Sequence, residues 1–270
     1  MKRVVILTGH ELRHQYFKTY LASIPQIQIV QSYCEDHAPL TKLVTMTPST
    51  PLQKEHLAAR ITSEKEFFQE FVSKTQDRSN PKYIVSGTIN SPAYVQEIIG
   101  LNPDLIICYG CSIIKAPLIE AFPRRIMNIH LGLSPYYRGA GTNYWPLVNA
   151  EPEYVGVSFI YLDEGIDTGE VIHQIRARIF EGDSPHQIGN RLIGDMCVVA
   201  AKLIEKFERL SKVQQLRANE TDRYYRTRDF SPESVERLIK NFNSSLVKNY
   251  LREEKVRTEL VPIIKNPAIE

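Results

Sequence analysis

The sequence predicts an α/β fold with a doubly wound, mainly parallel β-sheet and a small C-terminal extension. Short apolar runs, such as residues 4–7 and 105–109, alternate with helical patterns along the first half of the chain. This alternation is typical of parallel sheets. Gly9, Gly87 and Gly110 follow three of these runs and mark strand ends. Because ligands of such sheets bind beyond the carboxyl ends of the strands, we expect a site there.

The first half contains the regular strand–helix alternation. Apolar residues at Leu12, Tyr16 and Leu21 recur with helical spacing, and Pro92 fits the first turn of a helix. Residues 38–51 are rich in threonine and proline and predict an excursion from the sheet. We predict strands at 4–7, 27–32, 83–86, 105–109 and 126–129, and helices at 10–22, 53–74, 92–99 and 116–122.

The second half is less regular. Residues 131–145 form a long loop, and a loop of this length inside a domain is usually functional. Strands are predicted at 155–162 and 170–179, with His173 as a structural residue of the second. A long helix follows at 185–210, with Ser184 as its N-cap and Pro185 in its first turn. A last helix at 231–252 precedes a tail at 260–270.

Composition and charge exclude several classes of protein. The chain of 270 residues is 43% hydrophobic and 24% charged, as is usual for a globular protein. A net charge of +2 gives no electrostatic reason to expect nucleic acid or membrane as a partner. No run of apolar residues is long enough to span a bilayer. Charged residues interrupt the apolar N-terminus after four residues, so we predict a strand there rather than a signal peptide, and a cytoplasmic location.

The four cysteines, Cys34, Cys108, Cys111 and Cys197, do not predict a metal site or a disulfide framework. Cys108 and Cys111 have C-x-x-C spacing, but zinc would require a second pair or histidines at ligand spacing. A redox pair would open a helix, whereas these residues continue a predicted strand. We interpret them as buried thiols and expect no metal.

A chemically distinctive group lies between residues 125 and 169. Asn128 and His130 are two apart at the end of a strand, so their side chains point the same way. An acidic, glycine-containing loop places Asp167 within reach of the imidazole. A neutral donor, a titratable ring and an orienting carboxylate are the parts of an acyl-transfer site that needs no side-chain nucleophile.

The motifs in this region resemble the signature of the folate-dependent formyltransferases. They are Asn-x-His at 128–130, Leu-Ser-Pro-Tyr-Tyr-Arg-Gly at 133–139 and Asp-x-Gly-x-Asp-Thr-Gly at 163–169. The resemblance is strong over residues 103–175, weaker before them and faint after about 210. It implies a catalytic domain at 1–210, a helical or extended appendage at 211–270, and catalytic roles for Asn128, His130 and Asp167.

The resemblance also implies a co-substrate, 10-formyltetrahydrofolate, whose formyl group is transferred directly and without a metal. We expect its pterin in an apolar slot against the acidic loop. The residues expected to bind it are Cys111, Ile113, Ile114, Asp163 and Gly165.

Two segments are candidates for binding the acceptor substrate. The turn between the first strand and helix can hold an anion at helix-terminal N–H groups, although a turn with solvated charges explains it equally well. Its candidate residues are Thr8, Gly9, His10 and Arg13. The long loop offers Ser134, Tyr136, Arg138, Asn143 and Tyr144. The Arg/Tyr cluster at 223–228 is a further phosphate candidate, but it also fits a surface arm or a homodimer contact.

Several acceptors are compatible with this family. Methionyl-tRNA formyltransferases carry a sizeable C-terminal domain, whereas about 60 residues follow the long helix here. Formyltetrahydrofolate hydrolases begin with a regulatory domain, and glycinamide ribonucleotide formyltransferases have a Gly-Ser-Gly turn where this chain has Thr-Gly-His. A nucleotide-linked amino sugar, as in bacterial polysaccharide synthesis, is therefore the favoured small-molecule substrate. Glycinamide ribonucleotide, a non-catalytic sugar-nucleotide or folate binding protein, and an NAD-dependent oxidoreductase remain the alternatives.

Overall fold

The structure is a computed structural model that describes residues 1–36, 50–215 and 222–270. The strands are β1 Lys2–Gly9, β2 Ile27–Asp36, β3 Pro81–Val85, β4 Leu105–Tyr109, β5 Ile126–His130, β6 Tyr137–Gly139, β7 Gly156–Tyr161, β8 Val171–Arg176 and β9 Arg223–Tyr225. The helices are α1 Leu12–Ala22, α2 Pro51–Glu64, α3 Glu70–Lys74, α4 Pro92–Leu101, α5 Ala116–Ala121, α6 Trp145–Val148, α7 Pro185–Glu205, α8 Pro232–Asn243 and α9 Leu246–Glu259. A π-helical turn, Lys65–Gln69, joins α2 to α3.

Seven strands form the central sheet in the order β3-β2-β1-β4-β5-β7-β8. The strands from β3 to β5 are parallel to their neighbours, and β7 and β8 continue the sheet in antiparallel pairing. The predicted α/β class with a doubly wound, mainly parallel sheet is confirmed. None of the helices in the described ranges is long and apolar enough to cross a membrane.

Both faces of the sheet are buried, which explains the continuous apolar runs of the parallel strands. Val4 and Ile6 of β1 belong to one core cluster, together with residues of α1 and α7. Val5 and Leu7 belong to the other, with residues of α4 and α5. Each strand therefore fills two cores with alternate side chains.

The same alternation decides where the side chains of β5 point. Met127 and Ile129 join the core cluster on the α1 and α7 side, whereas Ile126 joins the cluster on the α4 and α5 side. Asn128 and His130, two and four residues after Ile126, therefore face that second side. They lie toward the carboxyl end of β5, the edge of a parallel sheet where ligands bind.

The C-terminal region differs from its prediction in two respects. The single helix predicted at 231–252 is wrong, because α8 and α9 are separated at Ser245, whose backbone is left-handed with φ +63°. The tail predicted at 260–270 is also wrong, because Ile264 exchanges hydrogen bonds with Gln174 of β8. Asn266 donates from its backbone N–H to the buried His173, which is thus structural, as predicted.

The described residues after 221 contribute to the main core rather than lying apart from it. Leu238, Leu246, Val247 and Tyr250 belong to the core cluster that includes the α7 residues. The division into a domain at 1–210 and an appendage at 211–270 stays a prediction. The excursion predicted at 38–51 lies almost wholly outside the described residues, which resume at Thr50.

The cysteines are free thiols. Cys108 is buried within β4, whereas Cys111 lies beyond the end of the strand and is half-buried. A hydrogen bond with Cys111, and then burial, raise the pKa of the Cys108 thiol well above its usual value. The thiol is therefore protonated and unreactive at neutral pH, as the buried interpretation requires.

The N-cap of α7 gives a test of the local sequence signals. The predicted N-cap Ser184 accepts a hydrogen bond from the backbone N–H of Gln187, 3.2 Å away, and the Gln187 side chain accepts from Ser184 in return. We expect Ser184→Ala to lower the free energy of unfolding by about 1 kcal/mol. Chemical denaturation measures the change.

Ser91 is the matched control, because it also precedes a helix that begins with proline but makes no side-chain capping bond within the described chain. Ser91→Ala should lower the free energy of unfolding clearly less than Ser184→Ala does. Equal losses in the two variants would show that the capping hydrogen bond is not what stabilises the start of α7.

Candidate active site

Asn128, His130 and Asp167 come together although the aspartate lies on a different segment. The Asn128 Nδ2 is 3.4 Å from the Asp167 Oδ1, and the His130 Nδ1 is 3.3 Å from the Asp167 Oδ2. The side chains of His130 and Asp167 are 6% and 11% exposed. A neutral donor, an imidazole and a carboxylate thus share a largely buried site, where electrostatic interactions are stronger than in bulk water.

Both ring nitrogens of His130 face oxygen atoms of the protein. Nε2 lies 2.8 Å from the carbonyl oxygen of Tyr137, which can only accept, and Nδ1 faces Asp167. An imidazole donates from both nitrogens only when it is doubly protonated. The Asp167 contact is the longer of the two, and Nδ1 is the nitrogen on the side of Asp167.

The acidic loop is shaped by its own residues. Asp167 has a left-handed backbone with φ +55°, which is uncommon for residues other than glycine. The Asp163 carboxylate accepts from the Gly165 N–H at 3.0 Å and from the Thr168 hydroxyl at 2.9 Å. Gly169 packs so closely that an added Cβ would lie 1.7 Å from the Tyr161 carbonyl oxygen. Much of the Asp-x-Gly-x-Asp-Thr-Gly pattern therefore builds the turn that presents Asp167.

The long loop at 131–145 is anchored below the histidine. Ser158 of β7 accepts from the Ser134 N–H at 2.9 Å and donates to the Gly132 carbonyl oxygen at 2.7 Å. A Cβ on Gly132 would lie 2.5 Å from the His130 Nε2, so this position must be glycine for the ring to fit. The Ser134 backbone thus has a structural function, and its predicted contact with substrate stays a prediction.

The turn after β1 is largely engaged by the protein itself. The Thr8 hydroxyl is buried and donates to the Tyr109 carbonyl oxygen at 2.7 Å. Arg13 pairs with Glu11 and, at 2.7 Å, with Glu64. Arg13 is therefore a structural cation here, and its predicted phosphate contact, like that of Thr8, stays untested.

Gly9 and His10 complete that predicted turn. A Cβ on Gly9 would lie 2.6 Å from the ring of His14, so the glycine is needed for packing. The His10 Nδ1 lies 3.1 Å from the Glu35 carbonyl oxygen, and the side chain remains 35% exposed. Among the four predicted residues of this turn, His10 is the one whose side chain is most available to a ligand.

Three loop residues hold buried polar atoms that the described protein leaves unsatisfied. They are the Oγ of Ser134, the Nε of Arg138 and the Oδ1 of Asn143, none of which has a hydrogen-bond partner among the described residues. Buried unpaired groups are costly, and in native proteins they call for an explanation such as a ligand. These three predicted residues are thus better placed to bind a substrate than Thr8 or Arg13.

The predicted tyrosines of the loop have mainly packing contacts. The Tyr144 hydroxyl lies 2.8 Å from the Ser234 Oγ, and its ring packs against His56 and Phe230. Tyr136 packs edge-on against Tyr154 with ring centroids 5.2 Å apart.

The predicted folate residues after β4 border an apolar surface. Ile114 belongs to the core cluster on the Asn128 side of the sheet, and Cys111 and Leu162 each pack against that cluster. Ile113 is 69% exposed, so its side chain is available for contact with a ligand. Its carbonyl oxygen accepts from the Asn90 side chain at 2.9 Å, which fixes the backbone of this segment.

Sequence reasoning missed Glu35, which organises the ends of three strands. Its buried carboxylate, at the end of β2, accepts from the Gly87 N–H at 2.9 Å and from the Ser112 N–H. It thereby joins the turn after β3 to the predicted folate segment. The only signal in the sequence was an acidic residue just after a buried strand, which is too common to be specific.

Part of the Arg/Tyr cluster at 223–228 packs against the rest of the protein. β9 pairs in parallel with β6, and Tyr225 stacks on Trp145 with centroids 4.1 Å apart. Arg223 pairs with Glu151 at 2.6 Å. Arg226 and Arg228 are exposed, so only this part of the cluster is available as the predicted phosphate clamp.

Comparison with known proteins identifies the family. Residues 2–195 match the family model described as formyl transferase. The chain belongs to this family. The match confirms the resemblance found in the motifs, and it ends within α7.

Curated relatives of this chain include methionyl-tRNA formyltransferases. The one from Desulforamulus reducens is 31% identical over 117 residues, which are 43% of this chain and 36% of that protein. The one from Sorangium cellulosum is 33% identical over 120 residues, 44% of this chain and 37% of that protein. The aligned part thus spans well under half the length of these two relatives.

Solved structures with a similar fold include sugar N-formyltransferases and a glycinamide ribonucleotide transformylase. A sugar N-formyltransferase from Shewanella sp. has a TM-score of 0.56 at 18% identity, covering 85% of this chain and 78% of that one. The formyltransferase PseJ from Anoxybacillus kamchatkensis was solved with a UDP-linked formamido sugar and tetrahydrofolate. It has a TM-score of 0.52 at 18% identity, covering 87% of this chain and 97% of that one. Glycinamide ribonucleotide transformylase 1 from Symbiobacterium toebii has a TM-score of 0.54 at 17% identity, covering 79% of this chain and 95% of that one. These similarities show a shared fold.

Three histidines, one buried and two half-buried, give a pH dependence of stability. Burial lowers the pKa of His56, His173 and His186 to about 4, from an ordinary value of 6.5. Between these values the unfolded chain binds more protons than the folded chain, so the free energy of unfolding should fall as the pH drops from about 6.5 toward 4. Denaturation at a series of pH values measures the slope.

The contact between the His56 and His186 rings, 4.6 Å apart, allows a specific check. His56→Phe keeps an aromatic ring and removes a titrating group, so it should flatten the slope. A slope that is unchanged in His56→Phe would show that this histidine does not contribute to the acid lability.

Proposed function

We propose that this protein transfers a formyl group from 10-formyltetrahydrofolate to the primary amine of a nucleotide-linked amino sugar. The observation that carries the proposal is the buried grouping of Asn128, His130 and Asp167 at the carboxyl end of β5. These residue types in this geometry suit acyl transfer without a covalent enzyme intermediate.

In the proposed reaction the amine nitrogen attacks the formyl carbon, forming a C–N bond and a tetrahedral oxyanion. The bond between that carbon and the folate N10 then breaks. One proton leaves the amine and one proton reaches N10, so the reaction is balanced in protons. The products are the N-formyl sugar nucleotide and tetrahydrofolate.

The protein has a defined task at each stage. The Asn128 amide donates to the oxyanion, a contribution of about 3–4 kcal/mol when such a donor is well placed. His130 supplies a second donor through Nδ1, whose contact with Asp167 is the longer of its two contacts. Asp167 accepts the amine proton, directly or through a water, and that proton is then returned toward N10.

The co-substrate is assigned to the surface between the segment after β4 and the acidic loop. Its support is that Ile114, Cys111 and Leu162 all pack in or against the same apolar cluster, and that Ile113 is exposed beside them. The Asp163 and Gly165 turn forms the other wall in this proposal. The flat pterin needs an apolar slot with backbone groups at its rim, and this surface offers both.

The acceptor is assigned to the other side of His130, along the loop at 131–145. The unpaired Arg138 Nε and Asn143 Oδ1 are suited to a diphosphate and a sugar hydroxyl. His10 and the exposed Arg226 and Arg228 are further candidates for the phosphates. The PseJ structure holds a UDP-linked sugar and tetrahydrofolate together, which supports the class of acceptor.

Glycinamide ribonucleotide is the second candidate acceptor. Two glycinamide ribonucleotide transformylases, from Symbiobacterium toebii and Streptococcus pneumoniae, match the fold with TM-scores of 0.54 and 0.53. This acceptor also carries a phosphate and a primary amine, so Arg138 would serve it too. The two candidates are distinguished by assay.

The first functional prediction concerns the three proposed catalytic residues. Asn128→Ala, His130→Ala and Asp167→Ala should each lower turnover at least about a hundredfold, since each removes a donor or a proton carrier. The release of tetrahydrofolate measures the rate. Asp195→Ala is the control, because Asp195 is on the surface paired with Arg178, and its rate should remain near that of the wild type. Near-wild-type turnover of His130→Ala would contradict the mechanism.

The second functional prediction concerns the acceptor. We expect turnover with nucleotide-linked 3-amino or 4-amino sugars, and not with glycinamide ribonucleotide or charged initiator tRNA. Arg138→Ala should raise the KM for the sugar nucleotide more than it lowers kcat, because it removes ground-state binding. Turnover confined to glycinamide ribonucleotide or tRNA would overturn the acceptor assignment. Binding without turnover for the whole panel would favour a non-catalytic binding protein.

A further inference from the structure

Residues 211–215 connect the main domain to the C-terminal region and pass along the outer edge of the sheet. Val213 pairs with Val171 of β8, and the two backbone hydrogen bonds between them are each 2.8 Å long. The side chain of Asn266 donates to the Ser211 carbonyl oxygen at 2.7 Å. The Lys212 Nζ lies 3.8 Å from Glu170. The segment is therefore held in place by a strand, a buried amide and an ion pair.

Gln215 extends from this segment to the acidic loop. Its Nε2 donates to the Asp167 carbonyl oxygen at 3.1 Å and to the Gly169 carbonyl oxygen at 2.6 Å. A side-chain amide has two N–H donors, and both are used here. The two acceptors flank Thr168, so the amide fixes the backbone on both sides of that residue.

The backbone that Gln215 holds is the one that most needs support. Asp167 has φ +55°, in the left-handed region that is unfavourable for most residues other than glycine. Such a conformation persists only when surrounding contacts impose it. The Asp167 carboxylate contacts Asn128, His130 and the Gly139 N–H, the last at 3.0 Å. Gln215 thus holds the backbone carbonyl group of Asp167, while the carboxylate of the same residue contacts the other site residues.

We propose that Gln215 is a positioning residue that keeps Asp167 in register with Asn128 and His130. The inference rests on the proposed function for its effect on the rate, whereas the tether itself can be tested without any substrate. Gln215 lies outside the segment that matches the family model, so the C-terminal region contributes to the site through it.

The kinetic test compares Gln215→Ala and Gln215→Glu with Gln214→Ala. Gln215→Glu keeps the size of the side chain but removes both N–H donors, whereas Gln214 is the exposed neighbour and serves as control. We expect both Gln215 variants to lower kcat about tenfold, the equivalent of one hydrogen bond, with KM for either substrate changed less than about twofold. Gln214→Ala should match the wild type. A KM change without a kcat change would overturn the positioning role.

A double-mutant cycle shows whether Gln215 acts through Asp167. In an Asp167→Asn background, Gln215→Ala should lower kcat less than about twofold, because the carboxylate that it positions is already lost. A further full tenfold loss would mean that Gln215 acts independently of Asp167, which would overturn the proposal.

Amide hydrogen exchange tests the tether separately from activity. The Gly139 N–H donates to the Asp167 Oδ2, so its protection reports the position of that carboxylate from a distant segment of the chain. Exchange at Gly139 should be faster in Gln215→Ala than in the wild type, and unchanged in Gln214→Ala. Unchanged exchange in Gln215→Ala would overturn the tether. If the wild type transfers no formyl group, the proposed function fails, and this exchange result alone decides whether Gln215 holds the loop.

Discussion

The arrangement of this site depends on one constraint, the left-handed backbone at Asp167. That conformation turns a carboxylate from a surface loop inward, to Asn128 and His130 of β5 and to the Gly139 N–H of the facing loop. One side chain thus joins a strand, the acidic turn and the long loop. A carboxylate held by several donors in a buried place is preorganised, and preorganised groups need little rearrangement during reaction.

The rest of the fold supplies the surroundings that make this arrangement stable. The parallel strands place the carboxyl ends of β4 and β5 together, and antiparallel β7 brings Ser158 next to His130 in register. Ser158 then anchors the long loop from beneath. The antiparallel part of the sheet therefore has a specific function here: it secures the loop that covers the histidine.

Local signals in the sequence were enough to predict much of the fold and the common face of two site residues. Alternation predicted the strands, Ser184 and Pro185 predicted the start of α7, and two-residue spacing predicted that Asn128 and His130 share a face. What the sequence did not indicate depended on contacts between distant residues. The pairing of Arg13 with Glu64 spans 51 positions, and the packing of Ile264 on β8 spans 90. The break at Ser245 lacked the glycine or proline that usually marks such a position.

The stacking of Trp145 on Tyr225 has a practical consequence. Trp145 is the single tryptophan of the chain, and its indole lies parallel to the tyrosine ring, at an interplanar angle of 5°. Its Nε1 donates to the Ala140 carbonyl oxygen, within the loop that follows His130. All indole fluorescence of the protein therefore originates at the junction between that loop and the C-terminal region. The emission spectrum is a built-in optical reporter of whether these two parts of the molecule are in contact.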